Sequence, residues 1–269
     1  MRQQPRIAQF LSSVALTALL AAGLGGCQTM SDITGSISPK PASSPDTDPH
    51  RTAEVYGERY RADPKNAEAA LAYGQALRAS GQRSQAAAVL EQATIAHPSD
   101  KALLAAYGRA LADNGNFQQA FDVLTRAHSP DNPDWRILSV QGTTLDQLGR
   151  HEEARRYYAS ALKIVPDEPS VLSNLGLSYV LSKNLPKAEE VLRQAYASTR
   201  ADARVRQNLA LAVGLQGRFA EAEQIVRADL PAEEAAANVA YLKQMLSRKD
   251  DSRTATSAKM PVASLNRPE

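Results

Sequence analysis

An alanine recurs every 34 residues, at Ala86, Ala120, Ala154, Ala188 and Ala222, without insertion or deletion. A fixed period of this length means stacked copies of one small supersecondary unit, not a single irregular core. Such stacks present extended surfaces to other polypeptides. Other columns keep the same beat. Five residues before each alanine stand Gly81, Gly115, Gly149, Lys183 and Gly217. Twelve before it stand Gly74, Gly108, Gly142, Gly176 and Ala210. Four after it come Leu90, Leu124, Tyr158, Leu192 and Val226, and nine before it Leu77, Leu111, Leu145, Tyr179 and Val213.

Apolar positions within a unit are spaced by three and four, one face of a helix. The glycine column divides each unit into two helical halves, glycine being suited to a left-handed helix end. Asn66, Asp100, Asp134, Glu168 and Asp202 precede the units, and four of these are good N-cap types. This pattern resembles the tetratricopeptide repeat. The resemblance implies an all-α superhelix, an α-solenoid of about five helical hairpins with terminal capping helices, whose first helices line a concave groove. The units are 67–100, 101–134, 135–168, 169–202 and 203–230, within a domain over 50–247. The fifth departs from the pattern, with Arg206 at a leucine position and Asp229 at an alanine position. Residues 231–247 are expected to close the stack with Ala235, Val239, Leu242 and Leu246 on one stripe. A helix near 50–62 is expected to cap the other end, with Val55 and Tyr56 inward. Residues 248–269 are polar and read as a disordered tail.

Residues 1–26 carry Arg2, Arg6 and then the apolar run Val14–Leu24, the pattern of a secretory signal. Leu24-Gly25-Gly26 before Cys27 resembles the lipobox of bacterial lipoproteins. That resemblance implies lipidation of Cys27 by diacylglycerol and an N-acyl chain, and no other cofactor. An ordinary signal peptide with an incidental cysteine is the plainer alternative. Gln28, where an aspartate would favour inner-membrane retention, points to a lipid-anchored protein of the outer membrane facing the periplasm. Residues 27–49, with Pro39, Pro41, Pro45 and Pro49, read as a lipidated flexible tether. Without residues 1–26 the lysines and arginines equal the acidic residues, 29 of each, so no basic surface speaks for nucleic acid.

No catalytic constellation emerges. His50, His97, His128 and His151 show no metal-ligand spacing, and Cys27 is the only cysteine. His151 before Glu152 and Glu153 reads as a solvated helix start. No enzyme activity, small-molecule substrate or metal is expected. Trp135 packs on the preceding helix or anchors a partner. By analogy with the family, the groove residues are Arg109, Arg136, Thr143, Asn174, Leu177, Leu181, Arg204, Asn208, Leu211 and Leu215. The surface thus turns from polar to apolar along its length, which suits an amphipathic or extended peptide; packing between helices is the plainer role for the leucines. Asn174 and Arg204 match two positions of the family's carboxylate clamp, but Ser139, Thr143 and Asn208 do not complete it.

The stretches Ala86–Leu111 and Asn132–Lys183, the latter with NPDWRILSVQG and SNLGLSYVLSK, are similar to the TadD family of lipoproteins of tight-adherence (Flp) pilus assembly. That similarity implies protein partners from the pilus and secretion machinery, the secretin among them, and a pilotin-like role. An adaptor activating an envelope enzyme, such as a peptidoglycan synthase, is the alternative on the same scaffold.

Overall fold

The computed structural model describes residues 48–131 and 133–257. Among them are twelve helices and no strand. Helix α1 (Pro49–Ala62) leads into five hairpins: α2 (Ala67–Ala79) with α3 (Arg83–Ala96), α4 (Lys101–Asp113) with α5 (Phe117–Ala127), α6 (Trp135–Gln147) with α7 (His151–Ile164), α8 (Pro169–Leu181) with α9 (Leu185–Tyr196), and α10 (Ala203–Leu215) with α11 (Phe219–Val226). Helix α12 (Ala232–Ser257) follows. The stacked hairpins form the all-α solenoid expected from the repeat columns. The signal at 1–26, Cys27 and most of the tether lie outside the described residues.

Local chemistry explains each boundary. All five first helices start at a capped residue. Asn66 accepts from the Ala69 N–H at 2.9 Å, Asp100 from Ala102 and Leu103 at 2.9 and 3.0 Å, and Asp202 from Val205 at 3.0 Å. Asp134 accepts from Arg136 at 2.8 Å, and Glu168 does the same for Ser170 at 3.4 Å. Each first helix ends in a left-handed residue, with φ of 78° at Gly81, 84° at Gly115, 76° at Gly149, 63° at Lys183 and 84° at Gly217. The N–H just beyond returns to a carbonyl of the last turn, Gln82 to Leu77 at 2.8 Å and Asn184 to Tyr179 at 2.9 Å among them. This six-to-one bond is the Schellman closure. Lys183 forms it without glycine's freedom.

The two small columns have distinct tasks. The alanines of the founding column are 0–1% exposed, so no larger side chain fits there. The other column sits against the large one. A Cβ on Gly74, Gly108, Gly142 or Gly176 would come within 2.5 Å of Leu90, Leu124, Tyr158 or Leu192. Where Ala210 replaces the glycine, Val226 replaces the larger partner, and both lie in one core cluster. Each buried leucine of these columns stabilises the fold by about 2–3 kcal/mol.

Two terminal expectations change. In α1 the inward stripe is Ala53, Tyr56, Gly57 and Tyr60, while Val55 is 45% exposed. The spacing of three and four from Ala53 leaves Val55 off the packed face. The closing helix, expected over 231–247, continues to Ser257 because no glycine or proline interrupts it. Ala235 is fully buried and Val239, Leu242 and Leu246 half-buried, as their stripe requires. Leu242 reaches the place where a Cβ on Gly214 would stand, so α12 covers the open end of the fifth hairpin.

Candidate protein-binding surface

Consecutive first helices touch one another: α2 with α4, α4 with α6, α6 with α8, and α8 with α10. The second helices pack chiefly on their chain neighbours. Closer spacing on one side bends the stack toward the first helices, whose outward residues therefore line the inner face.

In the first three units that face carries both signs: Asp113 and Asp134 lie among Arg78, Arg109 and Arg136, and exposed Glu68 stands in the repeat column of Arg136. Arg78 of α2 binds Asp113 of α4 through Nε to Oδ2 at 2.6 Å. Arg109 is half-buried between Arg78 and Arg136. Burial pulls its guanidinium below the ordinary arginine range; Asp134 opposes that shift, while the like charges of Arg78 and Arg136 reinforce it. Arg136 is exposed, and its guanidinium lies 4.5 Å from the Trp135 ring centre. Trp135 itself is half-buried and packs on the third hairpin's core. Its ring therefore serves both packing and the placement of Arg136.

In the later units the face is apolar. Leu177, Leu181, Leu211 and Leu215 are all half-buried. Three of them, Leu177, Leu211 and Leu215, also pack on the core of the last two hairpins. They thus both fill space between helices and show part of their surface. Arg204 is exposed nearby.

The asparagines are engaged inside the protein. Asn174 donates to Ser139 Oγ at 3.1 Å, and Asn208 donates to Ser173 Oγ at 2.9 Å. Each bond joins one first helix to the next. Asn208 is 9% exposed. Thr143 is exposed and donates to the Ser139 carbonyl at 3.0 Å.

One cluster escaped sequence reasoning. The Asp146 carboxylate is buried between α6, α7 and α8. It accepts from Tyr158 Oη at 2.9 Å and Ser178 Oγ at 2.7 Å, and His151 Nδ1 lies 2.8 Å away. Burial, followed by the charge of Asp146, pushes the Tyr158 hydroxyl well above the ordinary tyrosine range. His151 is therefore not a freely solvated helix start. Its equivalents in the other units differ, so no column marks it. Beside it a cavity of about 260 Å³ is lined by Arg150, His151, Glu152, Glu153, Arg155 and Ser182. Its charges are matched internally, Arg150 with Glu153 at 2.7 Å and Arg155 with Glu152. Among the described residues no three histidines, cysteines or acids are grouped to hold a metal ion, and no helix is long and apolar enough to cross a membrane.

Comparison with known proteins agrees with this architecture. Residues 46–127 match the family described as anaphase-promoting complex, cyclosome, subunit 3, and residues 136–201 match the tetratricopeptide repeat. No curated protein matches. Among solved structures, PilW, a widely conserved type IV pilus biogenesis factor, superposes with a TM-score of 0.63 at 18% identity, over 71% of this chain and 90% of that one. TTC0263, a tetratricopeptide-repeat protein of Thermus thermophilus, gives 0.56 at 23% identity over 68% and 98%. The Cut9–Hcn1 hetero-tetramer gives 0.58 at 18% identity over 73% of this chain; the match spans 40% of the Cut9–Hcn1 chain. At these identities the likeness is one of fold. Repeat columns, helix packing and family matches agree: the chain is a tetratricopeptide-repeat protein.

Proposed function

We propose that this protein is an outer-membrane-anchored periplasmic scaffold for assembly of tight-adherence pili, giving pilotin-like support to the secretin. The carrying observation is the inner face, where Arg109 and Arg136 in the early units and Leu177, Leu181, Leu211 and Leu215 in the later ones leave part of their surface open to another polypeptide. Holding a partner is what such a face does; in the cavity beside His151, Arg150 pairs with Glu153 and Arg155 with Glu152. The lipobox-like Leu24-Gly25-Gly26-Cys27 supports the anchor, with diacylglycerol and an N-acyl chain on Cys27. The resemblance of Asn132–Lys183 to tight-adherence lipoproteins supports the machinery, and PilW serves pilus biogenesis on the same fold.

The test is a deletion strain and a Cys27→Ala strain assayed for surface pili and secretin multimers. Loss of pili and of multimers in the deletion, with mislocalised protein in Cys27→Ala, is the expected result. Normal pili and multimers in the deletion reject the proposal. Defective wall synthesis with intact pili would instead favour an adaptor for a peptidoglycan synthase.

A further inference from the structure

The four junctions between units are not equally tied. Arg78 with Asp113 and Ser84 with Asn114 join the first unit to the second. Asn174 with Ser139, Ser178 with Asp146 and Arg155 with Ser182 join the third to the fourth. Asn208 with Ser173, Gln216 with Glu189 and Arg193 with Glu221 join the fourth to the fifth. Between the second and the third, apart from the α6 cap, a single side-chain hydrogen bond crosses among the described residues, from Gln141 Nε2 to Thr125 Oγ1 at 3.2 Å. Rings also meet there, Phe121 edge-on to Tyr157 with centroids 5.8 Å apart.

Gln141 departs from its repeat column, which otherwise holds Tyr73, Tyr107, Leu175 and Leu209. The Tyr73 and Tyr107 hydroxyls accept from Gln85 and Gln119 of their own hairpins. Gln141 instead reaches back to the preceding hairpin. It is 2% exposed, and its Oε1 is buried with no hydrogen-bond partner among the described residues. A buried amide oxygen without a donor is destabilising. Tilting α6 away from α5 gives up one contact at the long end of the hydrogen-bonding range and brings that oxygen to water. The same tilt at any other junction breaks two or more directed contacts. Bending is therefore least costly at this seam, as packed blocks move about the few places that resist least.

We propose that the solenoid consists of two stiff blocks, units one and two and units three to five, hinged at the Gln141–Thr125 seam, so that the inner face widens and narrows between α4 and α6. This motion does not depend on which polypeptide the face holds.

The experiment places spin labels on cysteines introduced at exposed, equivalent positions of the full chain carrying Cys27→Ala, in detergent. One pair, Gln92→Cys with Ser160→Cys, spans the seam; the other, Ser160→Cys with Ala228→Cys, is equally separated in sequence and lies within the second block. Electron–electron double resonance reads each distance distribution. The first is expected to be about two-fold broader than the second. Gln141→Leu, which installs the side chain of the fourth and fifth units, should narrow the first distribution toward the second and leave the second unchanged, which assigns the motion to the seam. Helicity and melting temperature verify folding; should Gln141→Leu unfold, the near-isosteric Gln141→Met decides. Equal widths in the parent chain, or a first distribution that the folded variant does not narrow, would overturn the proposal. A deletion strain that still builds pili removes the pilus reading without touching these distances.

Discussion

Arg206 and Asp229 face each other across the fifth hairpin in a two-pronged ion pair, Nε to Oδ2 at 2.6 Å and Nη2 to Oδ1 at 2.5 Å. In the second, third and fourth units the same two positions hold Leu104 with Ala127, Leu138 with Ala161, and Leu172 with Ala195, all buried. Two departures from the repeat pattern are thus one coordinated exchange. Either change alone leaves a charge without its partner; together they replace apolar packing with a directed contact.

Exchanging only Arg206 for leucine should destabilise the last hairpin by about 0.5–1 kcal/mol, because Asp229 loses its two-pronged partner. The double variant Arg206→Leu/Asp229→Ala should recover much of that loss. A double-mutant cycle by chemical denaturation measures the coupling, and a coupling near zero would contradict the pairing.

The acid limb of stability is the second prediction. Hydrogen bonding from Arg206 holds the Asp229 carboxyl below its ordinary range. At Glu189, burial pushes upward, but hydrogen bonds from Arg218, Gln216 and Arg193 outweigh it and leave the carboxyl lowered. A carboxyl lowered in the folded state stabilises above its unfolded pKa, and the contribution is lost as pH falls through the folded value. Melting temperature should therefore fall on acidification below about pH 4–5, and Asp229→Asn or Glu189→Gln should flatten that fall. An unchanged acid limb in both variants would refute this linkage.

Loop glycines and packing glycines should respond differently. Gly142→Ala places a methyl 2.5 Å from the Tyr158 ring and should lower stability by about 1–3 kcal/mol. Gly149→Ala meets no atom within 4 Å, so its cost comes from φ of 76° alone and should be about 1 kcal/mol. The converse exchange, Lys183→Gly at φ of 63°, relieves a strained side-chain-bearing residue and should stabilise by a few tenths to about 1 kcal/mol. Thermal melts of the three variants check the order.

Removing the buried carboxylate should be costly. Asp146→Ala leaves Tyr158 and Ser178 without their acceptor and should destabilise by about 2–3 kcal/mol. Hydrogen exchange should show the loss concentrated in α6, α7 and α8; uniform loosening along the chain would argue against a local knot.

The hairpins, their caps and the columns were legible because each follows from a rule acting within one unit. Asn66, Gly81 and Ala86 would read the same in any copy. Contacts that cross between units through unlike residues were not legible. Nothing in the spacing joins Asp146 to Ser178, or commits the Asn174 amide to Ser139, since both depend on how two hairpins lean together. Arg206 and Asp229 were visible as exceptions, but their mutual attraction required the fold. The arginines and leucines expected in the groove lie on first helices because the repeat period puts them there; their degree of exposure depends on curvature, which no single unit encodes.

Asn174 with Ser139, and Asn208 with Ser173, have a consequence for any guest of the inner arc. Alkyl surfaces slide over one another at little cost, but an amide meeting a hydroxyl tolerates only a narrow range of separation and direction. Two such rivets in register resist flattening or tightening of units three to five. A polypeptide laid along that arc would meet a curvature that these two bonds help to hold.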